Sequence, residues 1–341
     1  MKILIAPLNW GLGHASRCVP LVRKFLDEGH EVILGGDGDS LTLLRRHFPK
    51  LRYVYLAPLN LKYSSGKRQV GAMLRALPQL ISWAFKDHAL LQAVLREEHI
   101  DQVISDNRFG LYISNSEVGQ TRSVYMTHQL HIMLPRGWKW AEPIAERLHA
   151  RIYKRFNKVW VPDFEDINLS LAGELSHPAN IRRPLSDIRY IGPLSRFSHV
   201  NGRTLEGQRK DNTRIVAVLS GLEPHRTMLE KEIIARYQNT GEQVLIVQGL
   251  MNRPNTRFKR GNITIVPYLN DTELVTALQE AKHIIARSGY STIMDLHALG
   301  LLKNDNSQIS NVQCQIELIP TPGQPEQEYL ADFLHLNLLI S

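Results

Sequence analysis

The stretch Lys2-Ile3-Leu4-Ile5-Ala6-Pro7-Leu8-Asn9-Trp10-Gly11-Leu12-Gly13-His14-Ala15-Ser16-Arg17, with the helical pattern that follows it to residue 28 and a second apolar run at 31–34, decides the fold class. Residues 2–7 are a nearly unbroken apolar run of strand length without polar alternation, the pattern of a parallel strand covered on both faces. The glycines after it let the backbone turn tightly. From residue 15 to 28 the apolar side chains Val19, Leu21, Val22, Phe25 and Leu26 recur at helical spacing, and Gly29-His30 stops the helix. Strand, glycine turn, helix and strand make a right-handed β-α-β unit, the building block of a doubly wound sheet.

Outward from that unit, further strands are expected at 52–56, 102–105, 123–126 and 158–161. Residues 69–98 read as one or two amphipathic helices, with Pro78 at a start or a kink. The pattern then restarts. Residues 198–213 are polar and rich in Gly, Asn, Arg and Lys. After them come a clean strand at 214–219, the turn Ser220-Gly221, a helix near 227–237, and strands at 243–248, 263–266 and 283–286. The sequence therefore predicts an α/β protein of two Rossmann-like, doubly wound domains facing across a cleft. They span residues 1–192 and 214–341, with a linker at 193–213. A chain of 341 residues exceeds what one core usually covers, which agrees.

Composition narrows the class further. With 43% hydrophobic and 22% charged residues the chain is neither disordered nor membrane-embedded, and no stretch approaches the roughly 18–20 apolar residues of a spanning helix. The first apolar run leads into a glycine turn instead of a cleavage site, so it reads as a strand and not a signal peptide. Cys18 and Cys314 lack metal-ligand spacing and are too few for a disulfide framework, which fits a reducing cytoplasm. The net charge of +8 favours polyanionic partners. No helix-turn-helix, zinc knuckle or RNA-binding signature accompanies it, so nucleic acid is not expected. Phosphorylated small molecules and an anionic membrane face account for the charge equally well.

Three segments can carry chemistry. In the first, Gly11 and Gly13 let the backbone approach a ligand, and His14 opens a helix. A dinucleotide fingerprint would place a third glycine near position 16, where this chain has Ser16. The alternative is a tight turn with a capping histidine. In the second, Ser220 and Gly221 follow a strand and expose backbone donors, and Arg226 adds a cation; a plain surface turn is the other reading. The third, Ala286-Arg287-Ser288-Gly289-Tyr290-Ser291-Thr292-Ile293-Met294-Asp295, is the most specific. Arg287 would meet a diphosphate at a helix N-terminus, Ser288-Gly289 permits close approach, Ser291 or Thr292 can bond phosphate oxygens, and Asp295 can accept from ribose hydroxyls. Downstream, Pro320-Thr321-Pro322-Gly323-Gln324-Pro325-Glu326-Gln327 is a stiff loop with groups suited to sugar hydroxyls.

The order of these segments across nearly the whole chain resembles the B-type glycosyltransferases related to the peptidoglycan N-acetylglucosaminyltransferase. It is especially similar to predicted transferases bearing a G-x-G-H-x-x-R loop, here Gly11-Leu12-Gly13-His14-Ala15-Ser16-Arg17. The resemblance implies a UDP-sugar donor held mainly by the C-terminal domain and an acceptor on the N-terminal one. It implies that Arg287, Ser288 and Gly289 hold the diphosphate, Asp295 the ribose, and Gln324, Glu326 and Gln327 the sugar. Two features depart from the pattern: the polar run at 303–308, and an end at Ser341, about one helix after Gln327, where such enzymes commonly add a helix crossing back to the first domain.

Sugar transfer needs a stabilised leaving diphosphate and a deprotonated acceptor hydroxyl. Arg287 with helix amides suits the first, and His14, or else Asp106, suits the second. Asp106 in Ser105-Asp106-Asn107-Arg108 reads equally as a helix N-cap. No cofactor and no metal are expected, since this fold type typically needs no catalytic metal, and transfer is expected to proceed with inversion. Trp138 and Trp140 beside Arg136 and Lys139, and the region 77–83, can dock on an anionic membrane carrying a lipid-linked acceptor, with a polysaccharide as the other acceptor class; a buried apolar face with a solvated basic one is the commoner explanation. That predicts a cytoplasmic protein, peripheral at the inner membrane face. Competing readings are a nucleotide-sugar hydrolase of the pseudaminic-acid-pathway type, a hexosamine epimerase of the same fold, a non-catalytic nucleotide-sugar-binding protein and, last, an NAD-dependent oxidoreductase.

Overall fold

The computed structural model describes residues 1–59, 69–113, 121–178, 188–199, 214–302 and 314–337. Most of the expected linker, 200–213, and the whole polar run 303–308 lie outside the described residues. The chain divides into two compact units, Met1–Trp10 with His14–Leu194, and Gly11–Gly13 with Ser195–Ser341.

Unit 1 runs β1 (Lys2–Pro7), α1 (Gly13–Asp27), β2 (Glu31–Gly36), α2 (Gly38–His47), β3 (Tyr53–Tyr55), α3 (Gln69–Glu97), β4 (Gln102–Asp106), β5 (Arg122–Met126), α4 (Glu142–Tyr153), β6 (Lys158–Val161) and β7 (Ile188–Tyr190). All seven strands are parallel, in the order β3-β2-β1-β4-β5-β6-β7. The chain winds from β1 to one edge and then back across to the other, so its topological switch lies between β1 and β4. Register makes Ala6 the partner of Ser105, Ser105 that of Tyr125, and Tyr125 that of Val159. Paired residues of neighbouring strands share a sheet face. On that face Leu91 and Leu95 of α3 pack with Leu4, Ala6 and Val103, and Tyr153 of α4 packs with Tyr125, Val159 and Val161. Helices α3 and α4 therefore cover the same side of the sheet.

Unit 2 contains β8 (Arg214–Val218), α5 (His225–Tyr237), β9 (Gln243–Val247), β10 (Phe258–Arg260), β11 (Ile263–Val266), α6 (Asp271–Gln279), β12 (Ala281–Arg287), α7 (Tyr290–Ala298), β13 (Gln315–Ile319) and α8 (Pro325–Asn337). Its sheet order is β10-β11-β9-β8-β12-β13, parallel apart from the antiparallel pair β10–β11. Ile215, Ala217, Val244, Ile246, Ile263 and Ile285 form its core with Leu229 and Ile233 of α5. Both units are Rossmann-like, as the repeated strand–turn–helix pattern predicts.

Differences lie where the pattern was short or interrupted. Pro78 sits inside one continuous helix, α3. Strand β10 has three exposed residues, so it carries no apolar signal, and β7 is equally short. Helix α6 starts at Asn270 with a reciprocal capping box to Glu273.

Candidate functional site

The carboxyl ends of β1, β4 and β5 converge on one polar cluster in unit 1. Asp106 closes β4, and Pro7 at the end of β1 is its register partner. Helix α1 begins just after β1, so its first turn passes over Asp106. His14, Arg17 and Cys18, at i, i+3 and i+4, share the helix face that meets the carboxylate. His14 Nδ1 is 2.9 Å from Asp106 Oδ1, and Arg17 Nε donates to Oδ2 at 2.7 Å. Arg17 Nη2 makes a second, short contact to Oδ1 and lies 3.0 Å from His14 Nδ1. Arg17 Nη1 is 3.1 Å from Nδ1 of His128, which follows β5.

Asp106 is fully buried, which opposes ionisation. The Arg17 charge, then that of His14, and their hydrogen bonds outweigh burial and hold the carboxyl well below its usual range. An anionic Asp106 favours the His14 tautomer with the proton on Nδ1, leaving Nε2 as a proton acceptor. The His14 side chain keeps 15% exposure, so a substrate can reach it, whereas Arg17 and Asp106 are sealed beneath. Burial pushes the Cys18 thiol up, which disqualifies it as a nucleophile.

A second buried network holds this edge in place. Ser105 Oγ donates to the Arg108 carbonyl at 2.6 Å and accepts from its amide, closing a turn in which Asn107 adopts φ +58°. Asparagine tolerates that left-handed conformation better than most residues. The fully buried Arg108 forks onto Asp87 with two 2.8 Å bonds, reaches Asp37 Oδ1 at 2.8 Å and bonds the Ala57 carbonyl at 2.7 Å. Asp37 in turn accepts from Asn9 Nδ2. Tyr125 Oη donates to Asn107 Oδ1 at 2.9 Å and lies 3.1 Å from His149 Nε2. Burial lowers His149 to about 4, so it stays neutral.

In unit 2 the loops after β8, β12 and β13 lie at the carboxyl edge of the sheet. Gly221 takes φ +91°, a conformation natural to glycine, in the turn after β8. Arg287, 4% exposed, spends its guanidinium on carbonyls: Nη2 on that of His225 at 2.8 Å, Nη1 on that of Pro320 at 2.9 Å. It thereby ties the three loops together. Its Nε and both ring nitrogens of the buried His225 find no protein partner. Helix α7 starts at Gly289 without a side-chain cap, and Ser288 Oγ donates to the Gln327 carbonyl at 2.7 Å.

The remaining expected residues are placed differently from one another. Gln327 Oε1 accepts from the Thr321 amide at 2.8 Å and braces the 320–324 loop, Gln324 N bonds the Thr321 carbonyl, and Glu326 lies in the first turn of α8. Ser291 and Thr292 lie in the first turn of α7. Arg226 is engaged by Glu223 and by Glu230 Oε2 at 2.9 Å. Asp295, half-buried on α7, accepts from Ser195 Oγ at 2.5 Å. Burial raises its carboxyl to about 6, against the lowering effects of Arg196 and Ser195.

Sequence reasoning did not assign Arg17 a partner and passed over His128 and Arg108. His128 was findable, since a histidine directly after a parallel strand next to β4 falls on the functional edge.

Fold and repeat define the class: two Rossmann-like units in the B-type glycosyltransferase fold. The crystal structure of the glycosyltransferase SnogD from Streptomyces nogalater matches 99% of this chain and 85% of its own, with a TM-score of 0.54 and 16% identity. By sequence, a protein of Methanosarcina acetivorans named as an uncharacterized glycosyltransferase is 20% identical over 317 residues, covering 88% of this chain and 78% of its own. A like-named protein of Methanosarcina mazei is 19% identical over 314 residues, with the same coverage. No family model matches the chain. Among the described residues no helix is long and apolar enough to cross a membrane.

Proposed function

We propose that the chain is an inverting, metal-independent glycosyltransferase that moves a hexose or N-acetylhexosamine from a UDP-sugar to an acceptor hydroxyl. Within its class we place it beside the peptidoglycan N-acetylglucosaminyltransferase group, on the loop from Gly11 to Arg17. The observation that carries the reading is the partly exposed His14 imidazole set against the buried Asp106–Arg17 pair at the carboxyl edge of a parallel sheet. His14 Nε2 takes the acceptor proton while Asp106 orients the ring and balances the positive charge that forms on it. Arg17 keeps Asp106 ionised and fixed.

Unit 2 receives the donor. The backbone of Ser220, Gly221, Ser288 and Gly289 and the uncapped first turn of α7 with Ser291 and Thr292 suit a diphosphate. Buried nitrogens of His225 and Arg287 without protein partners add to that reading. Gln324 and Glu326 remain our candidates for the sugar. Arg226, Asp295 and Gln327, whose polar groups are taken up by protein partners, are proposed to hold the loops that shape the site.

The test is UDP release from UDP-glucose and UDP-N-acetylglucosamine, with and without a total lipid extract, by the full chain and by His14→Asn, each in EDTA. The reading expects EDTA-insensitive release, stimulated by the extract and reduced roughly 10²–10⁴-fold in the variant. Equal release with and without the extract would favour the hydrolase, in which water replaces the acceptor at the same histidine.

A further inference from the structure

Among the described residues Asn107 alone, glycines apart, has a positive φ, +58°. It follows Asp106 at the carboxyl end of β4, on the edge that carries His14. Its backbone amide donates to the Met126 carbonyl at 3.3 Å, and the paired bonds between Ser105 Oγ and Arg108 close the turn around it. Glycine takes such a conformation at no steric cost, so the turn by itself does not call for a side chain. Sparsely populated backbone conformations gather at functional sites, where the surroundings over-determine them.

The side chain is braced from behind. Tyr125 is fully buried, and burial, then the Asp106 charge, push its phenol up, so it keeps its proton. That proton can serve Asn107 Oδ1, 2.9 Å away, or His149 Nε2, 3.1 Å away. Burial lowers His149 to about 4, so the ring is neutral and carries one N–H. Its Nδ1 is buried without a protein partner. A proton there would be an orphaned buried donor, a rarer fault than an orphaned acceptor, so the proton sits on Nε2. The bonds then run one way: His149 Nε2 donates to Tyr125 Oη, and Tyr125 Oη donates to Asn107 Oδ1.

This direction fixes the Asn107 amide, since only its oxygen can accept the phenol proton. Both N–H groups of Nδ2 are left over, and no described residue accepts from them. Asn107 is half-buried, so a ligand can reach it. An amide N–H receives the lone pair of a hydroxyl or carbonyl oxygen and repels the N–H groups of an amine. Proton transfer to His14 needs a hydroxyl held in one place, and a single contact to the imidazole leaves the acceptor free to turn about it.

We propose that Asn107 positions the acceptor in unit 1, its side-chain amide donating to an acceptor oxygen beside the hydroxyl that His14 deprotonates, with Tyr125 and His149 holding the amide in place. The assignment rests on the transferase reading. The experiment titrates the total lipid extract in the UDP-release assay with UDP-N-acetylglucosamine, using the parent, Asn107→Gly and Tyr125→Phe. Melting temperatures and UDP-induced stabilisation are measured in parallel. Asn107→Gly keeps the backbone conformation and removes the amide. It should need roughly tenfold more extract for half-maximal release, the effect of one lost hydrogen bond, with the donor KM unchanged. Its melting temperature and UDP response should match the parent's. Tyr125→Phe, which keeps the amide and loses its brace, should show a smaller rise in the same quantity. An unchanged extract requirement in Asn107→Gly overturns the assignment and leaves the transferase reading standing. So does a lower melting temperature with the donor KM and the extract requirement shifted together, which would make Asn107 a structural turn residue. A parent that the extract does not stimulate removes the transferase reading and the acceptor role with it.

Discussion

Arg17 grips both oxygens of Asp106, with Nε 2.7 Å from Oδ2, while His14, one turn earlier on the same helix, meets Oδ1 at 2.9 Å. One carboxylate thus serves a permanent cation and an imidazole. Asp106→Asn should lower kcat roughly 10²–10⁴-fold with little change in the donor KM, because the ring loses its orienting acceptor. Arg17→Lys, which keeps the charge and loses the fork, should fall between parent and Asp106→Asn. Steady-state kinetics with both proteins checks this, and an Asp106→Asn variant at full kcat would remove His14 from its assigned role.

Arg108 has a different part, since it touches Asp87, Asp37 and backbone carbonyls and is wholly buried. Arg108→Met should cost about 3–5 kcal/mol in urea unfolding, because it strands Asp87 in the interior without its cation. A change below about 1 kcal/mol would mean that water satisfies those carboxylates.

Asp295 gives a pH signature. Burial, resisted by Arg196 and Ser195, raises it to about 6, above its unfolded value, so its contribution is intact in acid and fades as pH rises through 6. Asp295→Asn should therefore gain stability on the parent between pH 4 and pH 8, by up to about 3 kcal/mol. Urea melts across that range give the difference; a flat one would show that the carboxyl titrates normally.

His149 should act in the opposite sense. Burial lowers it to about 4, so below pH 6.5 the unfolded chain takes up a proton that the folded one refuses. Stability then declines as pH falls from 6.5 toward 4, and His149→Gln should flatten that decline, as read from thermal melts at stepped pH.

Most strands of both sheets were legible because apolar runs and helical spacing are local signals, as at β1 and α1, whereas β7, β10 and β13 were not expected. The site was legible only in part. His14 and Arg17 sit in one short motif, but Asp106 lies 92 residues from His14 and joins it only because β4 pairs with β1. The fates of Arg226, Asp295 and Gln327 were hidden too. Their residue types suit a nucleotide-sugar, yet Ser195 reaches Asp295 through packing that no spacing rule encodes, Gln327 turns back on the Thr321 amide, and only the Arg226–Glu230 pair, four residues apart on α5, follows a local spacing rule. Arg108 was given no role, because its four-way embrace depends on α3 and the ends of β1 and β3.

The central claim, a nucleotide-sugar site at the start of α7, is tested most directly by thermal shift with UDP, GDP, dTDP, CMP and NAD on the parent and on Gly289→Val. Gly289 has φ −76°, and a Cβ there would meet no atom within 4 Å, so valine is sterically tolerated by the fold but fills the space a phosphate needs. The account predicts selective stabilisation of the parent by UDP and none in Gly289→Val, with equal melting temperatures in the absence of nucleotide. No response of the parent to any of the five, or an undiminished UDP response in Gly289→Val, would contradict it.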